Sequence, residues 1–246
     1  MLYFRLNSRS ASAAARLLLA VGLAISLAAC VAPIPIKDQA PKVSYPVTKK
    51  VAVVVIDSRT DLTVDKKPPT FIGHAHALFG IPTDMQIYPW VALKEEKNFT
   101  LAQELEQRIV DALQADGATI VPVDRAAHAD AASVKRVALG LDADRVLLIS
   151  IDKWWIDINL SWVGSFELDW GYTVAISDKT GAVIATFADS GKDVVEEKGS
   201  DSPRNMITEA FRARLEKLME RSEVRAALWN SPEQSSLQTM TRAKSQ

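Results

Sequence analysis

The sequence predicts an α+β domain in which a mixed, largely antiparallel sheet carries two main helices on one face. Three observations support this prediction. A β-branched run at 51–57 is apolar on both faces, which is typical of a central strand. Segments after Thr100 and after Ser202 repeat apolar residues at helical spacing. The stretch 145–196 is rich in alternating apolar and polar residues. Because strands and helices are largely segregated along the chain, we expect the helices to cover one face of the sheet.

Both main helices begin with capping signals. Thr100 and Gln103 have the spacing of a capping box, in which each side chain accepts the other's backbone N–H. Gly117 predicts the end of this first helix. The second helix is predicted to start after Ser202, which would cap it, with Pro203 at its first position.

Two long strands are predicted on either side of a turn at 163–165. The alternation places one set of apolar residues on a single face of this hairpin; they are Trp154, Ile156, Ile158, Leu160, Trp162, Phe166, Leu168, Trp170, Tyr172, Val174 and Ile176. Trp155 points to the opposite, polar face. The adjacent pair Trp154 and Trp155 suggests a β-bulge where the long strand changes register.

The remaining parts of the chain have weaker signals. The segment 58–97 has no clear periodicity and is predicted to be a long loop, of the kind that usually has a function. A short strand at 119–123 is placed at a sheet edge or a strand end by its proline. A weaker helix is predicted at 131–143.

The N-terminus has the pattern of a lipoprotein leader. Three arginines precede an apolar run that is too short to span a membrane but typical of a signal peptide. The run ends in Leu27, Ala28, Ala29 and Cys30, which resembles the lipobox at which bacterial signal peptidase cuts before a lipidated cysteine. Cys30 is also the only cysteine in the chain, so no disulfide within the chain is possible.

This pattern predicts four regions. Residues 1–29 are the signal peptide, 30–49 a lipidated cysteine with a proline-rich extended tether, 50–229 a single α+β domain, and 230–246 a polar tail. Removing the leader takes three arginines and no acids from a chain with 29 basic and 30 acidic residues, which leaves a net charge of −4. This charge argues against a nucleic-acid partner and against electrostatic binding to a membrane surface.

Two features are candidates for binding a partner. Trp155 is a large aromatic side chain on a polar sheet face, where it would be either a contact anchor or a residue covered by the 58–97 segment. Phe79 and Trp90 lie in that segment. The sequence DSRTD, with Asp57, Arg59 and Asp61, follows the first strand, where functional loops often start. A local ion pair or an Asx turn there would set the direction of the loop.

Catalytic and metal-binding signals are weak. His74 and His76 could bind zinc only if a third ligand converged on them; His128 lies in an unrelated segment. We expect no metal and no cofactor at these histidines. The sequence contains no nucleophile elbow, phosphate-binding loop or dinucleotide fingerprint. A non-catalytic protein is therefore predicted.

Together, five features of the chain resemble the YajG-type family of uncharacterised bacterial lipoproteins. They are the lipobox, the proline-rich segment, the strand running into DSRTD, the segment LAQELEQRIVDALQADGATIVP and the terminal amphipathic helix. The stretch 72–90, which includes His74 and His76, has no counterpart that we can place in this family. The resemblance implies a cell-envelope lipoprotein that acts by docking, and it brings no catalytic residue. Val31 after Cys30 implies an outer-membrane anchor facing the periplasm.

Three functions follow as hypotheses. The first is a lipid-anchored adaptor or accessory subunit with an envelope protein as its partner. The second is a small-ligand or glycan-binding module that uses Tyr88, Trp90 and Trp155 for stacking. The third is a metal-dependent enzyme at His74 and His76. The oligomeric state stays open.

Overall fold

The structure is a computed structural model that describes residues 32–76, 80–123, 140–160, 164–196 and 202–229. The strands are β1 (Lys50–Asp57), β2 (Phe71–His76), β3 (Pro82–Gln86), β4 (Thr119–Ile120), β5 (Arg145–Asn159), β6 (Ser165–Asp178) and β7 (Val183–Glu196). The helices are α1 (Ile36–Gln39), α2 (Thr60–Val64), α3 (Ile87–Trp90), α4 (Leu101–Ala115), α5 (Pro203–Met219) and α6 (Ser222–Leu228), with a 3-10 turn at Lys94–Glu96.

All seven strands form one mixed sheet around the long strand β5. β1 pairs in parallel with the first half of β5, and β2 pairs in parallel with its second half. β6 runs antiparallel along the other side of β5, and β7 pairs antiparallel with β6. β4 extends the sheet beside β1, while β3 extends it beside β2. The predicted α+β class with a mixed sheet is therefore confirmed.

A β-bulge in β5 keeps its apolar side chains on the face that the helices cover. In the main core, the β5 side chains are odd-numbered from Leu147 to Ile151 and even-numbered from Trp154 to Ile158. The register with β6 shifts between Ile151 and Lys153, which absorbs this change. The sequence suggested a bulge at Trp154 and Trp155, and the observed bulge lies just before this pair. It comes earlier because Trp154 already points to the face that the helices cover.

The two long helices lie on this apolar face, as predicted. Thr100 and Gln103 form the expected capping box of α4, and Ser202 accepts the backbone N–H of Asn205 at the start of α5. The ring of Trp154 meets that of Phe211 edge-on, with centroids 5.0 Å apart. No helix in the described part of the chain has the length and apolar character needed to cross a membrane.

The proline-rich segment does not extend away from the domain as predicted. From Ile34 onward it belongs to the compact unit, and Tyr45 and Val47 are fully buried. The Tyr45 hydroxyl donates a hydrogen bond of 2.8 Å to the carbonyl of Met219. Prolines disfavour the interior of helices and strands, but the one-turn helix α1 can follow Pro35 and the segment can pack into a groove.

The segment 58–97 is also more ordered than a long loop. It contains α2, β2, β3 and α3, and the two strands complete one edge of the sheet. The short strand β2 carries a glycine and two histidines, and β3 has one buried apolar residue, Met85. Such short strands lack the alternation on which the prediction depended.

Several predictions fall outside the described residues. They concern the leader, Cys30 with its lipobox residues Leu27, Ala28 and Ala29, Phe79, Trp162, most of the weaker helix at 131–143, and the tail.

Candidate interaction surface

The sheet face opposite the helices carries a group of three rings, which we call the aromatic cluster: Phe71, His74 and Trp155. The His74 and Trp155 ring centroids are 4.9 Å apart, and Phe71 lies 5.3 Å from Trp155 and 5.5 Å from His74. All three contacts are edge-to-face, an arrangement that stabilises aromatic pairs. Phe71 is buried, whereas His74 and Trp155 are partly exposed. The cluster therefore presents two rings on a buried third one.

Backbone geometry in β2 makes this cluster possible. Gly73 has a φ of +141°, and a Cβ atom there would lie 2.0 Å from the carbonyl oxygen of Ile156 on β5. Only glycine allows the two strands to approach so closely. The β2–β3 register shifts between Phe71 and Gly73, which brings Phe71 and His74, three residues apart, onto the same face.

Charged side chains surround the rings. Asp84 on β3 lies 3.2 Å from His74 Nε2 and 2.6 Å from the ammonium of Lys67. The same ammonium lies 5.0 Å from the centroid of the Phe71 ring, within the range of a cation–π contact. The hydrogen bond from Lys67 lowers the pKa of Asp84, and His74 acts in the same direction. This side of the cluster thus has a fixed ion-paired rim.

The other side of the cluster is polar as well. His76 Nε2 lies 3.0 Å from the carboxylate of Asp157, two residues along β5 from Trp155. Lys153 pairs at 2.9 Å with Asp169 on β6. A partly exposed aromatic centre with a charged rim is the composition of protein-binding surfaces.

Asp57 and Arg59 stabilise this surface from inside the protein. The guanidinium binds both carboxylate oxygens of Asp57, at 2.8 and 2.7 Å. It also donates to the carbonyl oxygens of Phe71 and Trp154, at 2.9 and 3.1 Å. The local ion pair is thus present, and it joins the end of β1 to β2 and β5.

Arg59 is only 4% exposed. Its predicted role as a partner contact is therefore corrected: because the side chain is covered by the domain, it positions the aromatic cluster instead. Asp57 is paired with it, and only 13% of the Asp57 side chain is exposed.

The other candidate residues lie apart from the cluster. The Asp61 carboxylate accepts a hydrogen bond of 3.0 Å from the backbone N–H of Leu62 in the first turn of α2. Trp90 packs against the core on the helical face, so it cannot share a stacking platform with Trp155. Sequence reasoning found Trp155 but missed Phe71 and Lys67, since nothing in the irregular 58–97 segment indicated which face they occupy. It considered Asp84 only as a possible oxygen ligand beside the histidines.

The histidines have separate partners. His74 contacts Asp84 and His76 contacts Asp157. Within the described ranges, no three His, Cys, Asp or Glu side chains converge as a metal site requires. The sequence suggested His74 as a candidate metal ligand, and the structure places its ring in the aromatic cluster, beside Phe71 and Trp155.

Comparisons with known proteins identify no family for the chain. No family model matches it, and no curated protein does. Protein XCC0632 of Xanthomonas campestris, from the family DUF330, is 11% identical, with a TM-score of 0.44 over 75% of this chain and 90% of its own. An uncharacterised protein is 7% identical, with a TM-score of 0.36 over 74% of this chain and 99% of its own. Lipoprotein GNA1162 of Neisseria meningitidis is 10% identical, with a TM-score of 0.27 over 70% of this chain and 99% of its own. The resemblance to YajG-type lipoproteins stays a prediction.

Proposed function

We propose that this protein is a lipid-anchored accessory protein of the bacterial cell envelope, which binds another envelope protein without catalysing a reaction. The observation that carries this proposal is the aromatic cluster, in which Trp155 and His74 are partly exposed on top of buried Phe71. Attachment through Cys30 rests on the leader and lipobox pattern of the sequence. We further propose that the anchor lies in the outer membrane, facing the periplasm.

The Trp155 ring is preorganised for binding a protein partner. A large ring that is already held in place loses little conformational freedom when a partner covers it. Phe71 and His74 hold Trp155 from two sides, and the bond from Arg59 to the Phe71 carbonyl holds β2. Aromatic side chains in such positions contribute a large share of binding energy in protein interfaces. The lipid would add to this by confining the protein to the membrane and so raising its effective concentration for partners there.

One observation favours a second candidate, a glycan- or small-ligand-binding module. Asp157 and His76 lie beside Trp155, and a ring flanked by hydrogen-bonding groups can hold a sugar. A titration of Trp fluorescence with peptidoglycan fragments tests this alternative. A change in emission that the Trp155→Phe variant lacks would favour it, whereas a flat titration at millimolar ligand counts against it.

Photo-crosslinking in the native cell tests the proposed function. A photoreactive residue replaces Lys153, an exposed side chain on the face of Trp155. The matched control replaces Lys217, an exposed lysine on α5 at the helical face. We expect one dominant envelope protein crosslinked from position 153 only, and loss of that adduct when His74→Ala is added.

Two results would contradict the proposal. The first is the same set of adducts from both positions, and the second is no protein adduct from position 153 in a folded, correctly located protein.

Lipid attachment is tested separately by metabolic labelling with a palmitate analogue. We expect the label in the wild type and its complete loss in Cys30→Ser.

A further inference from the structure

We infer that the helical side of the domain lies directly against the lipid bilayer, so that the aromatic cluster faces away from the membrane. This inference rests on the proposed lipid attachment at Cys30. In this orientation the bilayer covers the helical side, and the face with the aromatic cluster is available to the envelope protein. Three observations support it in turn: how the N-terminal segment is bound, how short the free chain is, and which side of the domain the segment covers.

The segment after Ile34 is held by specific contacts along its length. The Ile34 backbone N–H donates to Asn205 Oδ1 at 3.2 Å. The Gln39 side chain accepts a hydrogen bond from the buried guanidinium of Arg108 on α4. Ser44 donates twice to the carboxylate of Glu220, at 2.6 and 2.7 Å. A segment held at this many points cannot act as a long flexible spacer.

Little chain is left between the bound segment and the lipid. Cys30 is four residues before Ile34, so even a fully extended chain spans only about 14 Å. An extended tether over the predicted range 30–49 would instead have kept the domain several tens of ångströms from the bilayer, at about 3 Å per residue. The anchor point is therefore close to Ile34 and the start of α5.

This anchor point is on the side of the helices. The segment contacts α5 at Asn205 and α4 at Arg108, and Phe211 on α5 meets Trp154 on the inner face of the sheet. Trp155, the next residue, points out of the opposite face. The segment thus lies among the helices on one side of the sheet, and the aromatic cluster lies on the other side.

The charges on the helical side permit close contact with a bilayer. A cleft of about 710 Å³ between the segment, α4 and α5 is lined by six charged residues: Lys37, Lys42, Arg212, Asp38, Asp116 and Glu209. These three basic and three acidic groups balance, so the cleft carries no net charge that would keep it away from an anionic membrane surface. The lipid supplies the attachment, and the short chain keeps the surface around Ile34 close to the bilayer.

A quenching experiment tests this orientation. Because Cys30 is the only cysteine, the chain beginning at Cys30 is coupled through its thiol to phosphatidylcholine vesicles that carry a maleimide lipid and a nitroxide-labelled lipid. A genetically encoded fluorescent residue replaces either Lys37, exposed on the segment, or Lys153, exposed on the outer face. Since the sheet lies between the two positions, we expect quenching at position 37 to exceed that at position 153 by about twofold or more.

A spacer variant is the control. Inserting about 20 glycine and serine residues between Pro33 and Ile34 adds an average reach of about 25 Å and should remove most of the difference. Equal quenching at the two positions without the spacer, or stronger quenching at position 153, would overturn the inference. Because the coupling is chemical, either result is independent of whether a cell lipidates Cys30. The palmitate experiment decides that point, so the two proposals fail separately.

Discussion

Trp154 and Trp155 are neighbours in the chain but belong to opposite faces of the sheet. Trp154 is 2% exposed and packs on Phe211 of α5. Trp155 is partly exposed and contacts Phe71 and His74, which come from the neighbouring strand β2. The same side chain thus stabilises the interior at one position and forms a surface at the next. The comparison shows that the layers on the two faces, and not the residue type, decide whether an aromatic side chain stabilises the fold or is available to a partner.

Substituting each tryptophan is the most direct test of this difference. Trp154→Ala leaves a large cavity under the helices and should lower the free energy of unfolding by about 3–5 kcal/mol. Trp155→Ala removes a partly exposed ring with two aromatic neighbours and should cost about 1 kcal/mol. Urea denaturation measures both. Losses of equal size would show that Trp155 is a core residue and would remove the basis for the proposed binding surface.

A buried ion pair on the helical side should be nearly as sensitive. Arg108 and Glu104 are both almost fully buried, and their charged groups lie 2.9 Å apart. Burial raises the pKa of Glu104, although Arg108 opposes this shift. Arg108→Met leaves that carboxylate without its partner and Gln39 without its donor, so we expect a loss of about 3–5 kcal/mol in the free energy of unfolding.

The double variant Glu104→Leu, Arg108→Met is the control for this loss. Because it removes both charges from the interior, it should recover most of the stability. The same urea denaturation compares the two variants. A double variant as unstable as Arg108→Met would show that packing, and not the unpaired carboxylate, causes the loss.

On the outer face, the most sensitive position is a glycine. Gly73→Ala places a Cβ atom against the Ile156 backbone at a positive φ, so β2 must move away from β5 and carry His74 away from Trp155. We expect a loss of about 2–3 kcal/mol, together with a shift in Trp emission. Gly80→Ala is the matched control, since Gly80 also has a positive φ but has open space around it. It should cost only about 1 kcal/mol and leave the emission unchanged.

The smallest expected effect concerns the bound N-terminal segment. Tyr45→Phe removes the hydrogen bond to the Met219 carbonyl and should cost about 1 kcal/mol near neutral pH. Burial raises the pKa of Tyr45, and the nearby Glu220 carboxylate acts in the same direction. The folded protein therefore holds this proton more tightly than the unfolded chain does.

This shift has a definite sign in pH. The contribution of Tyr45 is fully present below the ordinary tyrosine pKa of about 10 and is lost as pH rises above it. Thermal unfolding between neutral and alkaline pH should show a steeper decline for the wild type than for Tyr45→Phe. Burial also raises the pKa of Tyr172, so the variant keeps part of the decline. Parallel curves would mean that Tyr45 does not titrate with unfolding.

Elements with local signals were predicted well. The capping box of α4, the Ser202 cap of α5 and the alternation of β6 each depend on residues a few positions apart. The strands β2 and β3 were not predicted, because short strands with glycine, histidine and proline have no periodicity to detect. The site divided in the same way. Trp155 could be found from the alternation of β5, whereas Phe71 joins it only through a register shift in β2.

The sequence by itself determined the class of fold, the position of the long helices and strands, and the face on which each tryptophan of the described hairpin lies, because helical and strand periodicities are local properties of the chain. Only the tertiary structure decided the role of the proline-rich segment and of Arg59. The segment packs because Asn205, Met219 and Arg108 offer a groove and hydrogen-bond partners from distant parts of the chain. Arg59 is buried because the start of β2 and the middle of β5 each present a carbonyl oxygen there that needs a donor.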